Sequence, residues 1–166
     1  GKFNVNLSKD INLLLDVIKN IAKLHYQYYF ENKEQLLYFI KDVKISNNYY
    51  KKLIEERFKI FIKKNTIFLN EEEIEIFYKL YNNFNESYNK TIKFPLSFCH
   101  GDLKSPNIFY KDNNELYFLD WQYIQLNKGI SDIIFLLIES IEFNEKIVNV
   151  CLNYYYQLII EKNIDY

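Results

Sequence analysis

The sequence predicts a mainly α-helical domain with a small β-hairpin, an α+β arrangement. Two observations carry this. Apolar residues recur at helical spacing over most of the chain, and between residues 95 and 119 they change to short apolar stretches divided by a turn signal. A third sets the scale: 166 residues, 49% hydrophobic and 26% charged, suffice for one domain with its own core.

The first helix reads from Ile11, Leu14, Leu15, Ile18, Ile21, Ala22 and His25, and is expected to run to about residue 30. Ser8 is its expected N-cap, with Asp10 in the first turn. A second helix is expected over residues 33–44, through Leu36, Leu37, Phe39, Ile40 and Val43. A third covers 49–63, through Leu53, Ile54, Phe58, Phe61 and Ile62. Asn70 followed by Glu71, Glu72 and Glu73 is a strong start signal, because the asparagine caps while the acids meet the helix dipole. The face Ile74, Phe77, Tyr78, Tyr81 and Phe84 carries that helix to about residue 88.

After Pro95, residues 96–99, 107–110 and 116–119 are short apolar stretches. Asp112-Asn113-Asn114 between the last two is a turn signal, so these form the hairpin. Beyond Gly129 a helix is expected over 132–141, and Asn144 caps a last one over 145–162.

Composition narrows the function. A net charge of -1 lacks the basic excess that phosphate-backbone binding needs, so no nucleic-acid partner is expected. The longest apolar run, residues 133–138, is too short to cross a bilayer, and no signal-peptide pattern opens the chain. Cys99 and Cys151 do not suggest a disulfide framework, and a reducing, cytoplasmic setting is expected. The richness in Asn, Lys, Ile, Tyr and Phe, with Arg57 as the only arginine, matches codons rich in A and T. The 16 Tyr and 14 Phe therefore read as core and half-buried surface.

The chemistry concentrates in Cys99-His100-Gly101-Asp102-Leu103-Lys104-Ser105-Pro106-Asn107 and in Asp120-Trp121-Gln122. Asp102 and Asn107 lie in a loop between two short strands, and Asp120 follows the second arm of the hairpin. The hairpin brings Asn107 and Asp120 together at its open end, with the carboxylate of Asp102 nearby. Hard oxygen donors of this kind suit Mg²⁺, which shares its shell with water and phosphate. A carboxylate beside a metal-bound phosphate can take the proton of an attacking hydroxyl.

These residues resemble a known pattern. His-x-Asp, an Asn five residues after the Asp, and a second Asp thirteen residues after that Asn match the kinase catalytic loop and metal aspartate. The form His100-Gly101-Asp102 with Asp120-Trp121 resembles the aminoglycoside phosphotransferase and choline kinase family, within the protein-kinase-like fold. Protein kinases themselves carry Arg at the place of Gly101 and Asp-Phe-Gly at the place of Asp120-Trp121-Gln122. Gly129-x-x-Asp132 before an apolar helix and Ala22-Lys23-Leu24-His25 at the end of another also fit. The Asp-Trp-Gln variant is similar to the ecdysteroid-kinase-like group as well.

The resemblance implies an ATP-dependent kinase of a small-molecule hydroxyl, with an aminoglycoside, choline, ethanolamine or a related metabolite as acceptor. It implies Asp102 as catalytic base, Asn107 and Asp120 as ligands of Mg²⁺ on the ATP phosphates, and Lys104 beside the γ-phosphate. His100 packs under the loop, and Asp132 caps its helix and bonds the loop backbone. It further implies that residues 1–166 form the C-terminal lobe. The ATP-clamping N-terminal lobe is then expected outside this chain, since Gly1, Gly101 and Gly129 cannot make a glycine-rich loop. Alone, the lobe is expected to fold but to bind ATP weakly and to be inactive.

Each residue also has a plainer reading. Asp102, Asn107 and Asp120 are residue types that suit loops, and only their joint spacing favours chemistry. His25 and Trp121 read as packing residues. Glu139 and Glu142 can meet a cationic substrate, but solvation explains them, as it does Lys51-Lys52 and Lys63-Lys64. Cys99 and His100 are strand neighbours facing opposite ways, which disfavours a thiol nucleophile. The alternative at the level of function is a non-catalytic binding or scaffold module that kept the lobe.

Overall fold

A computed structural model describes residues 2–3, 6–39, 48–65, 67–91, 93–111 and 115–164. In chain order its elements are β1 (Lys2–Phe3), α1 (Ile11–Gln27), β2 (Tyr29–Phe30), α2 (Lys33–Phe39), α3 (Asn48–Asn65), α4 (Glu71–Thr91), β3 (Leu96–Cys99), β4 (Ile108–Tyr110), β5 (Leu116–Phe118), β6 (Gln125–Asn127), α5 (Ile130–Ser140) and α6 (Glu145–Ile160). Two compact units result, Gly1–Phe39 with Phe94–Tyr166, and Ile40–Lys93. The expected turn at Asp112-Asn113-Asn114, the helix beyond Phe39 with Ile40 and Val43, and the side chains of Leu37, Phe39, Lys51, Lys52, Leu53 and Ile54 lie outside the described residues.

The first unit is mainly α with small antiparallel sheets. On α1, Leu14, Val17, Ile18, Ile21, Ala22 and His25 are buried, a stripe at i, i+3, i+4 and i+7 spacing. The stripe packs chiefly on α6, whose Cys151, Tyr155 and Ile159 recur every fourth residue. Ile133, Leu136 and Leu137 of α5 close the core, and Leu103 and Ile108 enter it from the loop region. Each fully buried Ile or Leu here contributes about 2–5 kcal/mol against truncation to alanine.

The expected hairpin forms between β4 and β5, pairing Ile108 with Phe118 and Tyr110 with Leu116. β1 adds a third strand on the β4 side. A second sheet, in the order β2-β3-β6, is not evident from sequence. Its strands are two to four residues long, too short for an alternating pattern, and they exist because β3 has partners on both sides.

Two caps differ from expectation. Asp10, not Ser8, caps α1, its Oδ1 accepting from the Leu13 N–H at 3.1 Å. Ser8 lies one turn earlier, in a 3-10 turn, with its hydroxyl donating to the Ser140 carbonyl at 3.5 Å and accepting from the Glu142 N–H at 3.3 Å. Asn144 caps α6 as expected, accepting from the N–H groups of Lys146 and Ile147.

The second unit contains α3 and α4. Asn70 and Glu73 make a reciprocal capping box, at 2.8 and 2.9 Å, that starts α4 where the sequence predicts. The two helices meet through aromatic rings: Phe58 stacks on Tyr81 with centroids 4.3 Å apart, and Phe61 meets Phe77 at 5.0 Å.

Candidate active site

Every candidate residue lies in the first unit. β3 ends at Cys99, and the chain turns sharply at Gly101, whose φ of 80° is left-handed. A side chain there would run into the Tyr123 carbonyl, so only glycine fits the turn. The turn delivers Asp102, after which Leu103 dives into the core and anchors the loop. Pro106 sits in a 3-10 turn over Ser105–Asn107 that leads into β4.

Asp102 and Asn107 are buried and locked together. The Asn107 Nδ2 donates to the Asp102 carbonyl at 2.8 Å and to its Oδ2 at 2.9 Å. The other carboxylate oxygen, Oδ1, holds the Lys104 ammonium at 2.9 Å. That hydrogen bond raises the Lys104 pKa; partial desolvation opposes it, and the charges of Asp102, Glu139 and Asp120 reinforce it. Lys104 therefore stands in the common field of three carboxylates. Asn107 turns its nitrogen inward, which leaves its Oδ1 as the atom able to meet a cation.

Asp120 is exposed and takes a left-handed conformation, φ 62° and ψ 61°. Such a backbone is uncommon outside Gly, Asn and Asp. Among the described residues its carboxylate is held by a 3.3 Å bond from the Gln122 side chain. The Leu119 N–H donates to the Asn107 carbonyl at 2.8 Å, extending the β4–β5 ladder by one step and bringing Asp120 to the loop. The donors Asn107 Oδ1 and the carboxylates of Asp120 and Asp102 are all oxygen, a set that fits Mg²⁺ rather than a soft metal.

His100 is fully buried beneath the loop. Its Nε2 lies 2.8 Å from the Leu119 carbonyl, and its Nδ1 accepts from the Asp102 N–H at 3.3 Å, roles that define the Nε2–H tautomer. The half-exposed Trp121 packs its ring 4.5 Å from the His100 ring and donates Nε1–H to the Phe118 carbonyl.

Asp132, on α5, accepts the His100 N–H at 2.6 Å and the Gly101 N–H at 2.9 Å. A cap on its own helix was also expected; the N-cap residue, Gly129, has no side chain to cap with, and the Asp132 carboxylate bonds the loop and His25 instead. The far end of α5 holds the loop a second time, the Ser105 N–H donating to the Ser140 hydroxyl at 2.9 Å.

Sequence reasoning missed Ser140, Tyr155 and the bonding role of His25. His25 Nε2 meets Asp132 at 3.1 Å and its Nδ1 meets the Tyr155 hydroxyl at 3.0 Å. Only the Ala-x-Leu-His ending of α1 hinted at this. Cys99 is a buried thiol whose pKa is raised, first by desolvation and then by the charge of Asp132, so it is protonated and poorly nucleophilic.

Residues 11–164 match the model of the ecdysteroid kinase-like family, and the chain belongs to that family. No curated protein matches it. Among solved structures it is similar to LicA, crystallised in complex with AMP, with a TM-score of 0.52 at 16% identity. The match covers 92% of this chain and 46% of LicA, so the chain spans about half the length of that protein. At this identity the likeness establishes a kinase-like fold.

Proposed function

We propose that this member of the ecdysteroid kinase-like family is the catalytic-loop lobe of an ATP-dependent phosphotransferase acting on a small-molecule hydroxyl. The observation that carries the reading is the Asp102–Asn107 lock, with Asp120 brought beside it through the Leu119–Asn107 bond. The AMP bound in LicA supports a nucleotide as the second ligand. The family description adds a steroid alcohol to the acceptor classes named above.

In this reading Asp102 orients the acceptor hydroxyl and takes its proton. Asn107 and Asp120 would hold Mg²⁺, which would neutralise charge on the transferred phosphoryl group. Lys104 now lies on Asp102 Oδ1, where the acceptor proton has to arrive. It therefore leaves Asp102 when a phosphate offers it a better anion, which uncovers the base only in the nucleotide complex. His100 and Asp132 act by holding the loop. The clamp over the phosphates is a second lobe outside residues 1–166. No helix among the described residues is long and apolar enough to cross a membrane.

A non-catalytic scaffold role is favoured by one observation, that both Asp102 oxygens are already occupied. The deciding experiment is an ADP-release screen of hydroxyl acceptors with the two-lobed protein. ADP formed with an acceptor and lost in Asp102→Ala supports the enzyme. ADP release indifferent to Asp102 rejects it.

A further inference from the structure

One buried network remains outside the chemistry above. His25, Cys99 and Asp132 present ligand atoms within 4.8 Å of one another, a grouping that could hold a metal. The bonding argues otherwise. Both His25 nitrogens and both Asp132 oxygens face protein partners, and the thiol is held protonated. The cluster is a hydrogen-bond chain that runs from α6 to the loop: Tyr155, His25, Asp132, then the backbone of His100 and Gly101.

We propose that Tyr155 is a positioning residue for the catalytic loop: its hydroxyl donates to His25 Nδ1, fixing the neutral Nε2–H tautomer that completes the coordination of Asp132. The functional part of this inference rests on the reading of the loop given above.

The direction of the chain follows from what each group can do. A carboxylate only accepts, and Asp132 already accepts two backbone N–H groups. His25 Nε2, 3.1 Å away, must therefore carry a proton. With the ring neutral, the one lone pair left is on Nδ1 and the hydroxyl 3.0 Å away can supply the matching proton, whereas a charged ring would donate to that hydroxyl instead. The arrangement leaves a single negative charge, solvated by three donors, in a pocket where Tyr155 is 3%, His25 0% and Asp132 1% exposed. Loss of the hydroxyl strands Nδ1 and frees the ring to turn or change tautomer. Asp132 then loses one of its three holders, and its grip on His100 and Gly101 slackens. Gly129 packs against this joint, since a Cβ there would strike both the Tyr155 hydroxyl and His25 Nδ1.

The test uses the two histidines of the chain as reporters. Long-range proton–nitrogen spectra of the ¹⁵N-histidine-labelled chain are expected to show His25 as a single neutral Nε2–H tautomer near neutral pH. In Tyr155→Phe, which keeps the ring that meets His25 edge-on at 5.7 Å, that signature is expected to be lost. Amide exchange at His100 and Gly101 is expected to quicken about tenfold, with α1 amides unchanged. In the two-lobed enzyme kcat is expected to fall while KM for ATP holds. An imidazolium or Nδ1–H tautomer in the unsubstituted chain overturns the proposal, whether or not the variant folds. So does a Tyr155→Phe chain with unaltered His25 resonances and loop exchange. The spectra and exchange need no activity, so failure of the phosphotransfer reading alone leaves the relay standing.

Discussion

Asn107 binds Asp102 twice with one nitrogen, at 2.8 Å to its carbonyl and 2.9 Å to its carboxylate. The first bond closes the loop as a structural unit, and the second aims the carboxylate. Fold and proposed chemistry thus share one side chain, and the two roles separate on mutation.

Asp102→Ala removes the aimed carboxylate but leaves the Asn107 bond to the backbone carbonyl. In the two-lobed protein kcat is expected to fall by about 10²–10⁴. The denaturation midpoint of the 166-residue chain is expected to move by no more than about 1 kcal/mol equivalent, since one hydrogen bond is lost and Lys104 can turn to solvent. Near-normal turnover would remove Asp102 from the reaction.

Asp120 couples a charge to a left-handed backbone, and two variants divide them. Asp120→Asn keeps a residue type that tolerates this conformation and is expected to fold normally while Mg²⁺-dependent nucleotide binding is lost. Asp120→Ala is expected to lose the same binding and about 1 kcal/mol of stability. Calorimetric titration with Mg·ATP and chemical denaturation read the two effects.

Asp132→Ala leaves the buried N–H groups of His100 and Gly101 without their acceptor and strips His25 of its partner. Its expected cost is several kcal/mol, at about 1–3 kcal/mol for each of the three buried donors left without an acceptor. An unfolding free energy within about 1 kcal/mol of the parent chain would show that the loop is held by other contacts.

Lys104→Ala distinguishes two uses of that ammonium. If Lys104 moves to the phosphate, kcat falls by about a hundredfold, the usual loss for one transition-state donor. An unchanged kcat would confine Lys104 to neutralising Asp102.

Cys151 is buried, and desolvation lifts its thiol from 9.0 to about 11. A raised pKa in the folded state means that the folded chain keeps a proton that the unfolded chain releases. This contribution to stability is therefore complete below about pH 9 and is lost as the pH climbs to about 11. Cys99 shifts in the same sense. Alkylation at pH 8 is expected to be slow at both thiols in the folded chain and fast in denaturant. Rapid native labelling of either would contradict its burial.

Much of this protein was legible in its residues. The stripe on α1, the Asn70–Glu73 box, the Asn144 cap and the β4–β5 hairpin depend on neighbours a few places apart, and periodicity exposes them. The spacing of Asp102, Asn107 and Asp120 was legible for a related reason, because a short hairpin leaves few ways to bring its ends together. Ser8 misled because its hydroxyl finds Ser140 and Glu142, over 130 residues away, and so leaves the cap to Asp10. The second sheet stayed hidden because strands of two to four residues carry no period.

What the amino-acid order settled alone is therefore local: which segments are helical, where they start, and which side chains bear oxygen beside a tight turn. That Asp132 bonds the loop was implied by the family resemblance; only the tertiary structure decided that it does so without capping its own helix, that His25 stands behind it, and that Tyr155 stands behind His25. Those bonds join residues 31 to 130 positions apart, and their strength comes from burial in a core assembled by α1, α5 and α6 together. No segment of the chain contains that low-dielectric interior by itself, so none can display the contacts that depend on it.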